Sequence, residues 1–327
     1  MPRTAVAVAS AALLAVALLP APPAAAKEPL FRLKLKPVKE KVVLGEPIRL
    51  EVTLTSASPR AAAVARLELG SPQGLVLYVK TESKETFQVT KLFGKYQGND
   101  FKESPVAREE LKTGKSLAAT VECLALRTGR LEISAVYLGG DRSVSPDNAE
   151  AKPVTVTVDP GPGGETKVGA RVKTSKGTMV VELHPGKAWN TVNNFLTLGR
   201  NGFYNDIVFH RVVKDFMVQT GDPRGNGMGG PGYYIPGEPN DVKHEKGILS
   251  MALEGHRNTG GSQFFIMTGK AAHLDGTFSP FGRVVEGMEV LDALNNVETR
   301  MTVGGRPEKS DPVEKPKLLG VETVLLK

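Results

Sequence analysis

The chain of 327 residues has few of the residues that form cross-links and metal sites: one cysteine and five histidines. A single cysteine excludes an intramolecular disulfide. Cys123 shares the strand parity of Val121 and Ala125, which favours a small buried hydrophobe. A reactive thiol is the lesser alternative, because no Lys–His environment accompanies it. The histidines and carboxylates show no metal-ligand spacing, so we expect neither a metal nor a cofactor.

The sequence also lacks a concentrated block of one charge. The net charge is +7, and it is spread thinly: residues 27–160 hold 21 Lys and Arg against 17 Asp and Glu, and residues 161–327 hold 20 against 18. Nucleic-acid-binding proteins concentrate positive charge on one face or element. We therefore expect no nucleic-acid partner. The hydrophobic content of 40% is ordinary for a globular protein, and the length suits two domains.

No apolar run reaches the roughly 20 residues that a membrane-spanning helix needs. The longest, from Ala5 to Leu19, follows Arg3 and leads to the small-x-small pattern of 24–26. These features predict a signal peptide over residues 1–26, cut before Lys27. An uncleaved anchor is the alternative, and a lipoprotein is disfavoured because no cysteine lies at the cleavage site. We expect an exported protein that is located in the periplasm, with the cell surface and the medium as alternatives.

Residues 27–158 are predicted to form an all-β domain. Apolar residues alternate strictly with polar ones over 48–54, 131–137 and 154–158, with Gly, Pro and Ser between the runs. Short alternating strands at this spacing favour a two-sheet β-sandwich. The Gly45-Glu46-Pro47-Ile48 pattern is weakly similar to bacterial immunoglobulin-like modules, whose partner here is unknown.

Residues 159–165, Asp-Pro-Gly-Pro-Gly-Gly-Glu, are predicted to be a linker in which nothing can pack. Beyond it, residues 168–183 predict a strand pair around Ser175-Lys176-Gly177. Ala188 to Gly199 has the apolar spacing of a helix, residues 287–294 predict a second one, and 318–326 a closing strand.

The stretch 209–222 predicts two strands, Ile207–Val213 and Met217–Thr220, separated by a tight bend. Alternation places Met217 with Gln219 on one face, and Phe209 with Arg211 on another. A half-buried hairpin with a surface arginine is the simpler interpretation. In the stretch 258–268, alternation likewise places Gln263 with Phe265 and leaves Phe264 for the core.

Several blocks resemble the cyclophilin family of peptidyl-prolyl cis-trans isomerases. They are Phe209-His210-Arg211, Phe216-Met217-x-Gln219-x-Gly221-Asp222, Asn258-Thr259-x-Gly261-Ser262-Gln263-Phe264-Phe265-Ile266, and Leu274-Asp275-Gly276 with Phe281-Gly282 shortly after. The resemblance covers residues 166–327. It implies a mainly β protein whose C-terminal domain is a closed antiparallel barrel of eight strands, capped by a helix at each end.

The resemblance also implies an activity, isomerisation of X-Pro bonds without a cofactor, and the residues that carry it out. Arg211 would stabilise the twisted amide, and Gln219 would hydrogen-bond the substrate carbonyl and fix Arg211. His210 would support them, with a purely structural role as the alternative. The residues implied to bind substrate are Phe216, Met217, Ala252, Leu253, Gln263, Phe265, His273, Leu274 and Phe278.

Three positions depart from many relatives. His273 stands where these have Trp, which puts tight cyclosporin binding in doubt and predicts weak binding at most. Phe278 replaces a pocket His, and Leu253 replaces an Asn whose contact is through the backbone. The glycine-rich stretch 225–232 is not a phosphate loop, because Pro231 and Pro236 block the required helix and no Lys follows.

Two other functions stay open. The barrel could hold Pro-containing segments without isomerising them, with partner choice set by the sandwich. The sandwich itself could be the functional half, for adhesion or for docking to the cell envelope.

Overall fold

A computed structural model describes residues 30–57, 62–65, 67, 69, 74–92, 94–97, 100–103, 108–138, 149–302 and 308–327. The protein is mainly β, with two α-helices in these ranges. The predicted signal peptide, residues 1–26, lies outside them. No helix within them is long and apolar enough to cross a membrane.

The elements that the structure describes in the N-terminal half are all strands. They are β1 (Phe31–Pro37), β2 (Lys41–Val43), β3 (Pro47–Ser56), β4 (Ala62–Ala65), β5 (Leu75–Lys80), β6 (Thr86–Val89), β7 (Gly94–Gln97), β8 (Asp100–Glu103), β9 (Arg108–Leu111), β10 (Ser116–Leu124), β11 (Gly129–Tyr137), β12 (Ala149–Glu150) and β13 (Val154–Asp159). One sheet has the order β1-β3-β10 and a second the order β2-β13-β11-β5-β6, with β12 paired to β11. The pairs β4–β9 and β7–β8 are separate two-stranded sheets.

The predicted alternation is confirmed in these strands. Ile48, Leu50, Val52 and Leu54 of β3 are completely buried, because every second side chain of a strand points to the same face. Alternate residues of β11 are buried too, and the two sheets contribute to one apolar core. Cys123 is part of that core, and burial raises the pKa of its thiol to about 12. It is the small buried hydrophobe that parity predicted. The immunoglobulin-like assignment stays a prediction.

The C-terminal half contains both helices. Its elements are β14 (Lys167–Thr174), β15 (Gly177–Leu183), α1 (Trp189–Arg200), β16 (Ile207–Val208), β17 (Arg211–Val213), β18 (Met217–Thr220), β19 (Ile248–Met251), β20 (Phe264–Met267), a 3-10 helix (Ala272–Leu274), β21 (Ser279–Glu286), α2 (Met288–Asn295), β22 (Thr299–Met301), β23 (Lys309–Pro312) and β24 (Lys317–Leu326). The strand pair predicted over residues 168–183, both predicted helices and the predicted closing strand are present, with bounds shifted by a residue or two.

One sheet of nine strands organises this half, in the order β16-β24-β14-β15-β21-β19-β20-β18-β17. Its two ends, β16 and β17, are separated in the chain by only two residues, so the sheet must curl back on itself. Among the residues that the structure describes, no ladder joins these ends. The predicted strand count of eight is therefore corrected to nine, and closure of the barrel stays a prediction.

The extra strand arises because the predicted strand 207–213 is broken. β16 pairs with β24, and the Phe209 N–H continues that side by donating to the Pro316 carbonyl at 2.8 Å. After His210 the chain changes partner, and β17 pairs with β18. The break also ends the alternation. Phe209 belongs to the main core while Arg211 lines a cavity, so the prediction that they share a face is wrong.

Helix α1 fills the core of this half. The apolar positions predicted from its spacing are all buried, and Phe195 meets the rings of Phe264 and Phe281 at centroid distances of 5.2 Å. Phe264 is a core residue, as its parity predicted. The helix begins without a side-chain cap of its own. Instead the Glu238 carboxylate accepts the backbone N–H groups of residues 190 and 191, at 3.0 and 2.8 Å, which satisfies otherwise free donors.

The two halves pack against each other through α1. The Phe87 ring of β6 stacks on the Trp189 ring with a centroid distance of 4.8 Å. The Asn193 side chain accepts the backbone N–H of Leu124 at 2.8 Å. Even the predicted linker takes part, because Gly161 is buried and a Cβ there would lie 2.5 Å from a Leu325 methyl group. The expectation that nothing in 159–165 can pack is therefore wrong.

Candidate functional site

A cavity of about 370 Å³ opens on the curled sheet beside β17, β18 and the 3-10 helix. Ten of the twelve residues predicted for the site line it: Arg211, Phe216, Met217, Gln219, Ala252, Leu253, Phe265, His273, Leu274 and Phe278. Strand register explains the convergence, because Arg211 pairs with Gln219 and Gln219 pairs with Phe265 on three adjacent strands. Segments that are far apart in sequence thus contribute to one surface.

The floor of this cavity is apolar. Met217, Phe265 and Leu274 are buried and belong to a small cluster that is separate from the main core. The Phe278 ring meets the Phe265 ring edge-on, with a centroid distance of 5.7 Å. His273 stacks on Phe216 at 5.8 Å on the outer side. Such a floor can accept a small apolar ring and exclude water from it.

Among the described residues that line this cavity, Arg211 is the only arginine or lysine, and its guanidinium is held from two sides. Its Nη1 donates to the Gln219 Oε1 at 3.4 Å. Its Nε and Nη2 donate to the two carboxylate oxygens of Glu308, at 2.8 and 2.9 Å. This bidentate pair fixes the guanidinium plane and keeps Nη1 toward Gln219 and the Met217 sulfur. The simpler interpretation, a half-buried hairpin with a surface arginine, stays open, because the ion-paired Arg211 side chain is 37% exposed.

Glu308 was missed by sequence reasoning. It lies 97 residues from Arg211 in the chain and directly follows the stretch 303–307, which is outside the described residues. Its backbone is fixed next to β22, where the Thr302 N–H donates to the Glu308 carbonyl at 2.9 Å. Nothing in the local sequence separates this glutamate from an ordinary surface residue.

Gln263 lines a second, larger cavity of about 600 Å³. This second cavity shares Gln219, Ala252 and Leu253 with the first, so the two form one continuous groove. The Gln219 Nε2 donates to the Gln263 Oε1 at 2.9 Å, and the Gln263 Nε2 donates to the carbonyls of Gly227 and Gly229, both at 2.9 Å. Hydrogen bonds therefore run from Arg211 to the glycine-rich wall.

His210 lines neither cavity. It lies beside the glycine-rich wall, where a Cβ built on Gly227 would be 3.8 Å from its ring. Both ring nitrogens are buried, and neither has a hydrogen-bond partner among the described residues. Burial lowers the pKa of His210 to about 4, so its imidazole is neutral at neutral pH. A direct role in the site stays a prediction, and the placement favours the structural alternative.

Comparison with known proteins agrees with this geometry. The family model described as cyclophilin type peptidyl-prolyl cis-trans isomerase/CLD matches residues 170–321. A peptidyl-prolyl cis-trans isomerase of Synechococcus elongatus is 47% identical over 136 residues, which are 41% of this chain and 93% of that protein. The chain belongs to the cyclophilin-type peptidyl-prolyl cis-trans isomerase family.

Other peptidyl-prolyl cis-trans isomerases match the same half. A peptidyl-prolyl cis-trans isomerase of Helicobacter pylori is 46% identical over 129 residues, 38% of this chain and 78% of that protein. A solved cyclophilin type peptidyl-prolyl cis-trans isomerase of Cryptosporidium parvum, crystallised in the presence of the dipeptide Ala-Pro, is 31% identical. The match covers 49% of this chain and 99% of that one, with a TM-score of 0.43.

Asp222 organises the glycine-rich wall of this cyclophilin. Its carboxylate accepts the backbone N–H groups of Arg224, Asn226 and Gly227 at 2.7, 2.9 and 2.5 Å. Burial alone would raise the pKa of Asp222, but these backbone hydrogen bonds hold it below its usual value. A side chain at Gly229 would collide with the carboxylate, so the wall requires glycine there. Because Asp222 already occupies these backbone donors, this wall is not a phosphate loop.

Behind the apolar floor lies a Ser–His–Asp arrangement that sequence reasoning missed. The His244 Nδ1 lies 3.0 Å from the Asp275 Oδ1, and its Nε2 lies 3.0 Å from the Ser250 Oγ. Ser250 is completely buried and His244 is 1% exposed, so no substrate reaches the hydroxyl. The His244 ring instead packs near Phe265 and Phe278, at centroid distances of 6.1 and 6.2 Å. The network thus supports the floor of the cavity from below.

The charges of this network are settled by its surroundings. Burial lowers the pKa of His244, although Asp275 opposes that shift. The His244 backbone N–H and ring hold the pKa of Asp275 down at about 2. A neutral imidazole beside a carboxylate is therefore the state at neutral pH. Within the described residues, no group of three or more His, Cys, Asp or Glu side chains could hold a metal ion.

Replacing Glu308 by glutamine is expected to lower kcat/KM for an X-Pro peptide about 10-fold, because the bidentate pair with Arg211 is lost and the guanidinium is no longer oriented. Glu314→Gln, an exposed glutamate of the same C-terminal segment, is the matched control and should leave turnover unchanged. Turnover and thermal unfolding would be measured on the full chain. An increase in kcat/KM would instead mean that Glu308 competes with the peptide for the guanidinium.

Proposed function

We propose that this cyclophilin accelerates cis-trans isomerisation of X-Pro bonds in exported polypeptides, with Arg211 as the group that stabilises the twisted amide. The observation that carries the proposal is the position of one oriented guanidinium beside an apolar floor of Met217, Phe265 and Leu274. Its destination in the periplasm, at the cell surface or in the medium follows from the predicted signal peptide over residues 1–26.

The chemistry needs no covalent bond. The barrier to rotation arises from amide resonance, which gives the C–N bond partial double-bond character. When the bond twists, the proline nitrogen regains a lone pair that can accept a hydrogen bond. A guanidinium next to that nitrogen interacts more strongly with the twisted amide than with either planar form, which lowers the barrier selectively. The Nη1 of Arg211, which donates to the Gln219 Oε1 at 3.4 Å, is the donor that we assign to this interaction.

The remaining residues hold the peptide. The apolar floor receives the proline ring, with Phe216 and Phe278 as its sides. The Ala252 N–H already donates to the Gln263 carbonyl at 3.0 Å, whereas the Leu253 N–H has no partner among the described residues. Peptide main chain would therefore pair at Leu253, in the manner of an added strand. Gln219 retains one Nε2 hydrogen for the substrate carbonyl.

Several finer assignments belong to the same proposal. The nine-strand sheet closes through the covalent link at Phe209–His210, giving a barrel with a helix at each end. Residues 27–158 form an immunoglobulin-like sandwich, 159–165 the connection and 166–327 the isomerase domain. Cyclosporin would bind weakly, because His273 offers no indole donor at the rim of the cavity.

A second function is favoured by one observation. Glu308 already engages the guanidinium through two hydrogen bonds, which weakens its interaction with a substrate. A chain in which this pair persists would hold Pro-containing segments without isomerising them, with partner choice set by the N-terminal half.

Turnover by the full chain on an X-Pro peptide decides between these two functions. We expect the cis-to-trans rate to rise in proportion to enzyme concentration, and we expect refolding of a protein limited by proline isomerisation to accelerate as well. Binding of the same peptide without any rate increase would establish the holding function and contradict the isomerase proposal.

A further inference from the structure

Three consecutive residues that follow β6 contact the isomerase half, and two of them, Lys91 and Leu92, contact tyrosines that line the second cavity. Thr90 is fixed to α1, since its N–H donates to the Asn190 Oδ1 at 3.2 Å and its carbonyl accepts from the Asn190 Nδ2 at 3.0 Å. The Lys91 ammonium lies 4.4 Å from the centre of the Tyr233 ring. Each of these residues therefore contacts the isomerase half directly.

The third residue, Leu92, makes the most specific contact. Its N–H donates to the Tyr234 carbonyl at 2.6 Å, and its carbonyl accepts the Tyr234 N–H at 2.9 Å. This reciprocal pair is an isolated antiparallel bridge between the segment that follows β6 in one half and a loop of the other. A paired main chain cannot move without breaking both hydrogen bonds, so the position of Tyr234 depends on the N-terminal half.

Tyr233 and Tyr234 are both part of the wall of the second cavity. The Tyr234 hydroxyl donates to the Glu254 Oε2 at 2.9 Å, on the segment that follows Leu253. The Tyr233 hydroxyl donates to the Asn194 Oδ1 at 2.7 Å. Tyr234 is thus held at its backbone by Leu92 and at its phenol by Glu254, and it connects the N-terminal half to the edge where the peptide main chain pairs.

We infer that residues 90–92 make the N-terminal half a structural part of the peptide groove, and that they determine how tightly the second cavity holds residues adjacent to the X-Pro bond. The inference rests on the proposed isomerase function and specifies its substrate class: extended polypeptide segments rather than short X-Pro units. A peptide confined to the first cavity does not reach Tyr233 or Tyr234, whereas a longer one does.

Two variants of the full chain test this inference. Leu92→Pro removes the N–H that donates to Tyr234, and Lys91→Ala removes the cation from the Tyr233 ring. Turnover would be measured on a four-residue X-Pro peptide and on a ten-residue peptide that carries the same X-Pro bond. Lys34→Ala, an exposed lysine of β1, is the matched control for Lys91→Ala.

We expect each variant to raise KM for the long peptide about 5- to 10-fold with kcat unchanged, and to leave the short peptide unaffected. Equal behaviour of variants and wild type on both peptides would overturn the inference, and so would an equal loss on both peptides. If Leu92→Pro does not fold, Lys91→Ala decides alone. Absence of turnover in the wild type would overturn the isomerase proposal and, with it, this inference. Normal turnover in the wild type with unaffected variants would overturn only the inference.

Discussion

Replacing Arg211 by alanine is expected to lower kcat/KM for an X-Pro peptide by about 100- to 1,000-fold, which is the effect of removing one oriented donor from a transition state. The loss should fall on kcat rather than on KM, because the guanidinium interacts most strongly with the twisted amide. Arg211→Lys keeps the charge but cannot form the two-pronged pair with Glu308, so we expect it to recover little of the activity.

The control for this experiment is Arg171→Ala. Arg171 is a half-exposed arginine of β14 whose partner, Glu322, lies 3.6 Å away on β24. Such surface pairs contribute about 0–1 kcal/mol, so this variant should keep full turnover and stability. Peptide affinity of Arg211→Ala would be measured as well. Preserved turnover in a folded Arg211→Ala protein would refute the proposed mechanism and favour strain or desolvation by the apolar floor.

The second large effect concerns acid stability. Burial lowers the pKa of His184, His210 and His244, so the folded protein binds fewer protons than the unfolded chain below a pH of about 6.5. The free energy of unfolding is therefore highest above that pH and decreases as the pH falls toward the folded pKa values. For His210, a change from 6.5 to about 4 corresponds to a loss of about 3 kcal/mol at most.

Urea unfolding of the full chain between pH 7 and pH 4 measures this loss. We expect His210→Asn to show a weaker pH dependence than the wild type, and His273→Asn, at an exposed histidine, to follow the wild type. Burial raises the pKa of Glu238, so this residue increases the free energy of unfolding as the pH falls and partly offsets the loss from the histidines. The pKa of Asp275 is lowered to about 2, so the stability that its carboxylate adds is lost only as the pH falls below about 4. A urea midpoint that does not change between pH 7 and pH 4 would contradict the inference that these histidines are buried in their neutral form.

Local alternation predicted only two of the strand faces that line the first cavity, and the resemblance to the cyclophilin family implied the rest of the lining. Alternation along β18 places Met217 with Gln219, and alternation along β20 separates Phe265 from the core residue Phe264. The hydrogen-bonded ladder between β18 and β20 brings these two faces together. The same alternation predicted which residues of β3 and β11 are buried.

What could not be predicted depends on contacts between distant segments. Glu308 reaches Arg211 only because the β22–β23 hairpin returns to β17. The break at His210 arises from competition between β24 and β18 for the same stretch of chain. The contact of Leu92 with Tyr234 uses main-chain atoms, which every residue has, so no side-chain pattern indicates it.

The stacking of Phe87 on Trp189 has an experimental consequence. Trp189 is the only tryptophan of the chain, and it lies where the two halves meet rather than in the groove. Its indole is completely shielded from water. Emission excited selectively at tryptophan therefore reports separation of the halves as a red shift, and it does so independently of peptide in the first cavity. The protein carries an intrinsic optical probe of its own interdomain docking.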